Sequence, residues 1–91
     1  MFETVSASRS KIKNTVERIP QMRIGEIGTT GPSTIGITMQ KLGTEFTSGD
    51  LQRLITDLKT AFPAKITVST NSRRDAADVT MEFFGPVQLG A

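Results

Sequence analysis

Apolar residues recur at intervals of three and four along "FTSGDLQRLITDLKTAFP" (residues 46–63), the spacing of one face of an α-helix. The apolar positions are Leu51, Leu54, Ile55, Leu58 and Phe62. Thr47 is a suitable N-cap, and Asp50 places an acid in the first turn, where the helix dipole favours it. The pattern therefore predicts an amphipathic helix that begins after Thr47 and ends before Pro63.

Two segments of alternating apolar and polar residues follow this helix, "KITVST" and "DVTMEFF". The apolar positions are Ile66 and Val68 in the first segment, and Val79, Met81 and Phe83 in the second. Such alternation indicates half-buried β-strands. The intervening "NSRRDAA" is polar and turn-like, so the two strands are predicted to form a hairpin.

The first half of the chain repeats this order. A helix candidate ends at "VERIP", "QMRIGEI" and "IGITMQKL" have the pattern of strands, and "GTTGPST" between them is predicted to be a loop. The phrase "ITMQKLG" (residues 37–43) matches "VTMEFFG" (residues 79–85) in its Thr, Met and Gly. Each half thus has the order helix, proline, strand, loop, strand, glycine; the alternative is a chance similarity between two strands.

These elements predict an α+β fold made of two αββ repeats within a single domain, residues 1–91. The repeats span residues 2–43 and 47–85, and residues 86–91 are predicted to be a short C-terminal tail. Two such units can form a four-stranded antiparallel sheet with both helices on one face, a permuted ferredoxin-like arrangement. In it, the second strand of each half is central and the first strand lies at an edge.

The N-terminal segment predicts a long helix. Its apolar positions step by three and four, interrupted by one arginine: Phe2, Val5, Arg9, Ile12, Val16 and Ile19. A start near residue 2, or equally a start upstream in a longer chain, is favoured, because a start at Ser8 would crowd Arg9, Lys11 and Lys13 into the first turns, against the helix dipole. The first turns would then project beyond the sheet and offer a partner four residues, Phe2, Val5, Arg9 and Ile12. The alternative is a frayed terminus.

Composition argues against catalysis. The chain has no Cys and no His, which removes thiolate chemistry, the commonest metal ligand and the usual general base. The carboxylates are scattered without metal-ligand spacing. Ser8 with Lys11, and Ser10 with Lys13, have the spacing of a serine–lysine nucleophile pair, but polar surroundings favour a solvated helix face. We therefore predict no enzymatic activity and no cofactor.

The charge pattern is mildly basic, with a net charge of +2 and a pI of about 9.4. Arg73 and Arg74 lie at the predicted hairpin tip and are candidate contacts for an anion or nucleic acid. The alternative is a solubilising tip partly neutralised by Asp75. Because the positive charge is not strongly clustered along the chain, nucleic acid is a less favoured partner than protein.

Hydropathy bears on the compartment. No apolar run is long enough to span a membrane, so no direct membrane insertion is predicted. The first fifteen residues also lack the apolar centre of a signal peptide. We expect a cytoplasmic protein if the chain is complete, and a periplasmic one if it is a domain of a membrane-anchored protein.

The two predicted edge strands differ in their capacity to pair with another chain. "MRIGEI" carries Arg23, Gly25 and Glu26, which discourage pairing. "KITVST" has no Gly or Pro, one charge and several β-branched residues. The predicted partner-binding edge therefore consists of Lys65, Ile66, Thr67, Val68, Ser69 and Thr70.

The paired αββ units resemble a known group of domains. The likeness rests on "ITMQKLG", on the helix from Thr47 to Phe62 and on the hairpin that ends in "VTMEFFG". In topology, nearly the whole chain resembles the ferredoxin-like periplasmic domains of inner-membrane platform proteins in type II secretion and type IV pilus machines. The resemblance implies a non-catalytic domain that follows a transmembrane helix and a coiled coil, dimerises and docks neighbouring subunits.

The sequence thus favours a non-enzymatic protein-interaction module, a homodimer that serves as scaffold or adaptor among other protein subunits. One alternative is a small nucleic-acid-binding protein that uses Arg73, Arg74 and the basic N-terminal helix. A phage- or plasmid-encoded inhibitor of a host protein would have the same sequence features.

Overall fold

The computed structural model describes residues 4–91, which form six strands and two helices. In chain order these are β1 (Val5–Ser8), α1 (Arg9–Glu17), β2 (Met22–Gly31), β3 (Thr34–Lys41), α2 (Ser48–Ala61), β4 (Ala64–Thr70), β5 (Ala76–Phe83) and β6 (Val87–Gly90). The fold is α+β, as predicted, with a four-stranded antiparallel sheet. A small parallel sheet of β1 and β6 was not predicted.

The four-stranded sheet has the order β2-β3-β5-β4. The second strand of each half is therefore central and the first lies at an edge, which confirms the predicted strand order. Ile37 pairs directly with Val79, and these two residues occupy the same place in the matching phrases. Met39 and Met81 both lie on the buried face of the sheet.

One face of the sheet is buried beneath both helices. Apolar side chains alternate into this face along β3 and β5, and Leu54 and Leu58 of α2 are fully buried against them, as predicted. The buried apolar residues that each half contributes from its helix and the turn after it recur in the same order: Ile12, Val16 and Ile19 in the first half, and Leu54, Leu58 and Phe62 in the second. That the halves superpose as a true duplication stays a prediction.

The predicted N-terminal helix is wrong in its extent. Val5–Ser8 forms strand β1, paired in parallel with β6 through Val5 to Val87 and Ala7 to Leu89. The helix begins at Arg9, and Ile12 is 0% exposed within the core, so this helix does not project. Phe2 lies outside the described residues. The spacing of Val5, Arg9 and Ile12 resembles that of a helix, and the strand β1 is recognisable only from its partner β6, which lies at the other end of the chain.

Helix α1 begins at Arg9, although basic residues in the first turns were expected to disfavour a start at this point. The Ser8 hydroxyl accepts a hydrogen bond from the Lys11 N–H at 3.2 Å, which caps the first turn. The end of β6 and the residue after it bring two carbonyl oxygens to this turn, since Gly90 accepts a bond from the Arg9 guanidinium and Ala91 accepts one from the Ser10 N–H. Partial negative charge from these carbonyls offsets the unfavourable placement of the cations.

Two other sequence predictions are corrected by the pairing of strands. The predicted C-terminal tail contains β6, whose Val87 N–H donates to the Pro32 carbonyl at 2.9 Å. The predicted "GTTGPST" loop is mostly strand, because β2 continues to Gly31 and pairs Gly28 with Gly36 in β3. Only residues 32 and 33 separate β2 from β3.

Helix α2 begins after the Thr47 N-cap, as its sequence predicts, and the structure shows that the cap is reciprocal. The Thr47 hydroxyl accepts from the Asp50 N–H at 3.1 Å, and the Asp50 carboxylate accepts from the Thr47 N–H at 2.9 Å. Lys41, at the end of β3, forms an ion pair with the same carboxylate. These bonds lower the pKa of the Asp50 carboxyl, chiefly through the Lys41 hydrogen bond and then through the Thr47 N–H. The pair thereby fixes the start of α2 to the end of the central strand.

Candidate edge-strand interface

Strand β4 presents unpaired backbone groups at one side of the sheet. The Asn71 N–H donates to the Ala76 carbonyl, and in an antiparallel ladder the residues that bond a given neighbour alternate. Lys65, Thr67 and Ser69 therefore direct their N–H and C=O groups to β5. The groups that point away from the sheet belong to Ile66, Val68 and Thr70. Within residues 4–91, β4 pairs with β5 alone, so this row is open to a partner strand.

Strand β2, at the opposite edge, is less open to such pairing, because two of its outward N–H groups are already bonded. The N–H of Met22 donates to the Ile19 carbonyl at 3.2 Å, and the N–H of Ile24 donates to the Glu17 carboxylate of α1 at 3.4 Å. Register shifts between Ile24 and Glu26 and between Thr29 and Gly31 further distort this edge. Bulges and a covering charge are the means by which natural sheets block edge-to-edge association.

The helix beside each edge makes β4 and β2 differ further in their suitability for strand addition. Helix α2 turns Asp57 toward α1, with which it shares a surface groove. At 100° per residue, Leu51 and Ile55 then lie on the opposite flank of α2, above β4. Both are half-buried and pack on the core, as is Val68 in β4. Apolar side chains thus accompany the open edge.

Beside β2, the flank of α1 is charged. Arg9, Ser10 and Lys13 line a shallow groove with Ile24 and Ile27 of the strand. Strand addition at β2 would have to desolvate these two cations in addition to displacing Glu17. The six residues predicted as the partner-binding edge, 65–70, therefore occupy the more favourable of the two edges.

The predicted second contact does not join this edge. Helix α1 packs on β2 and α2 packs on β4, so Arg9 is at the far side of the molecule from residues 65–70. Val5 is half-buried in β1 and Ile12 is in the core. The fold therefore does not bring the N-terminal segment and the β4 edge together into one surface.

Arg73 and Arg74 are exposed on the loop between β4 and β5. The Asn71 side chain shapes this loop by accepting from the N–H groups of Asp75 and Ala76. The Arg74 carbonyl accepts from the Phe46 N–H, which holds the loop against the start of α2. Arg9 instead lies near Gly90 and the other end of the sheet. The two basic regions of the nucleic-acid hypothesis are consequently separated.

Sequence periodicity missed three features that bear on the interface. The bond from the Ile24 N–H to the Glu17 carboxylate depends on how α1 packs on β2. Leu51 and Ile55 were predicted on the apolar face of α2, and the structure leaves both half-buried above β4. Phe84 was placed at the end of a strand; it directly follows β5 and is 82% exposed. An exposed aromatic side chain is a common anchor in protein interfaces.

Metal binding and membrane spanning can be examined within residues 4–91. This part of the chain contains no group of three or more His, Cys, Asp or Glu side chains arranged to hold a metal ion. None of its helices has the length and apolar character needed to cross a membrane. The chain matches no protein-family model, and comparisons with curated proteins and with solved structures give no significant match.

Proposed function

We propose that this chain is a non-enzymatic protein-interaction module, a scaffold or adaptor that binds its partner by strand addition at β4. The observation that supports this most strongly is the contrast between the edges. β4 offers the backbone groups of three successive outward-facing residues beside apolar side chains, whereas β2 is bulged and partly capped by Glu17. Strand addition draws affinity from main-chain hydrogen bonds and specificity from the neighbouring side chains.

The permuted ferredoxin-like arrangement is part of this proposal. Its support is the strand order together with the two helices on one face. Membership of a secretion or pilus machine stays a prediction, because folds of this kind host many unrelated functions.

Proline at Val68 tests the use of the edge. The Val68 N–H points away from β5, so Val68→Pro removes a donor from the free edge and leaves the ladder bonds of β4 intact. We expect this variant to fold but to remain monomeric at concentrations where the wild type self-associates, measured by light scattering after size-exclusion chromatography.

Thr29→Pro is the matched control, because Thr29 lies at the β2 edge and its N–H also points outward by the same alternation. It should assemble like the wild type. A folded Val68→Pro variant with unchanged molar mass would exclude the β4 edge. Assembly should also persist between 50 and 200 mM salt, whereas nucleic-acid binding weakens steeply over that range.

A further inference from the structure

We infer that the strand added to β4 is β4 of a second copy of this chain, antiparallel to the first and related to it by a two-fold axis at Thr67. This inference rests on the proposed use of the β4 edge. It adds the identity of the partner and the register of pairing. Three properties of the described residues support it.

The first property is the match of hydrogen-bonding groups. With the axis at Thr67, Ile66 lies opposite Val68 of the second copy, and Ala64 lies opposite Thr70. Ile66 and Val68 direct their N–H and C=O groups outward, so they meet as a hydrogen-bonded pair. The Ala64 N–H already donates to the Phe62 carbonyl at 2.9 Å, so the second pair is joined by one bond, from the Thr70 N–H to the Ala64 carbonyl. This register also overlaps the two strands along the whole of Ala64–Thr70. Moving the axis to Ile66 or Val68 leaves residues at the strand ends unmatched.

The second property is charge. Lys65 is the single charged residue of β4, and in this register it lies opposite Ser69 of the second copy. Within the second copy, Ser69 pairs with Asp78 of β5. Lys65 of the first copy therefore lies in one cross-strand row with the small Ser69 side chain and, beyond it, the Asp78 carboxylate of the second copy. The two lysines lie apart, at opposite ends of the paired strands. Lys65 lies opposite Glu82 in its own β5, and the Asp78 carboxylate of the second copy, one strand beyond Ser69, adds a second acidic group on its other side. Charge complementarity of this kind favours association and its register.

The third property is the helix flank. A two-fold axis at β4 brings the α2 helices of both copies alongside each other above the joined sheets. The half-buried Leu51 and Ile55 of each copy then face their counterparts across the seam. Their burial supplies the apolar contact that a two-stranded pairing alone lacks.

A single introduced cysteine tests the register directly. The native chain contains no cysteine, so any disulfide must join the introduced residue to its counterpart in another copy. In a non-hydrogen-bonded antiparallel pair the Cα atoms are about 4.5 Å apart, within the range that a disulfide spans. Thr67→Cys should therefore form a covalent dimer under mild oxidation, read by non-reducing electrophoresis and intact mass. Ser69→Cys is the matched control on the same strand and face, and it should cross-link at least tenfold more slowly. Adding Val68→Pro to Thr67→Cys should abolish the cross-link.

The outcomes distinguish the register of pairing, the use of the β4 edge and the identity of the partner. Faster cross-linking at Ser69→Cys than at Thr67→Cys would overturn the Thr67 register. Even then, a lower molar mass of the Val68→Pro variant in light scattering would support the use of the β4 edge. A wild type that is monomeric at millimolar concentration would overturn the second copy as partner. Equal cross-linking of Thr67→Cys with and without proline would show random collision and would also overturn the inference.

Discussion

Leu58→Ala should lower the free energy of unfolding by about 2–5 kcal/mol, the usual cost of truncating a fully buried leucine. Leu58 is 0% exposed and lies in the core between α2 and the sheet. The shortened side chain leaves a cavity that close-packed neighbours fill only in part. Urea denaturation followed by circular dichroism measures the effect. A loss below about 1 kcal/mol would mean that the buried face of α2 is wrongly assigned.

Ile55→Ala is the matched control on the same helix. Ile55 is half-buried on the flank above β4, so its truncation removes less buried surface and leaves no closed cavity. We expect a smaller loss of stability than for Leu58→Ala but a weaker self-association. The pair of variants thus separates the core of the fold from the proposed interface.

Asp50→Asn should lower the free energy of unfolding at pH 7 by roughly 1–3 kcal/mol. The substitution keeps the shape of the side chain but removes the charge that pairs with Lys41. The side chain of Lys41 is only 8% exposed, so its ammonium group would lose its partner in a partly desolvated site. Thermal or urea denaturation as a function of pH measures the change.

The pH dependence follows from the lowered pKa of Asp50. A carboxyl group whose pKa is lower in the folded state stabilises the fold above its unfolded-state pKa of about 4, and this contribution is lost as the pH falls through the folded-state pKa. Wild type and Asp50→Asn should therefore differ at neutral pH and converge in acid. A constant difference across that range would contradict the ion pair.

Asp57→Asn serves as the control for Asp50→Asn. Asp57 pairs with Arg53 across one turn of α2 at 3.6 Å, and the Arg53 side chain is largely exposed. Exposed pairs of this kind contribute only about 0.2–1 kcal/mol. Asp57→Asn should therefore change stability little.

The sequence predicted correctly those elements whose apolar periodicity is complete within their own residues. Helix α2 has apolar residues on one face, a Thr47 cap and a proline stop, and the structure has it at Ser48–Ala61. Strands β3 and β5 alternate cleanly, so their buried face and their central place in the sheet were predicted. The edge position of residues 65–70 followed from the same order of elements.

The missed features depend on contacts between distant parts of the chain. Strand β1 is recognisable only through β6, and without that partner the spacing of Val5, Arg9 and Ile12 resembles a helix. The bond from Glu17 to Ile24 depends on how α1 packs on β2. A bulge near Gly25 shifts the β2 register, which no local alternation of residues reveals.

The central claim is that assembly occupies the free edge of β4, and amide hydrogen exchange tests it most directly. Exchange should be followed residue by residue at low and high protein concentration. We predict that protection at Ile66, Val68 and Thr70 rises with concentration, whereas Lys65, Thr67 and Ser69, already bonded to β5, are protected throughout. Unchanged protection at Ile66, Val68 and Thr70, or a rise at the β2 edge instead, would contradict the account.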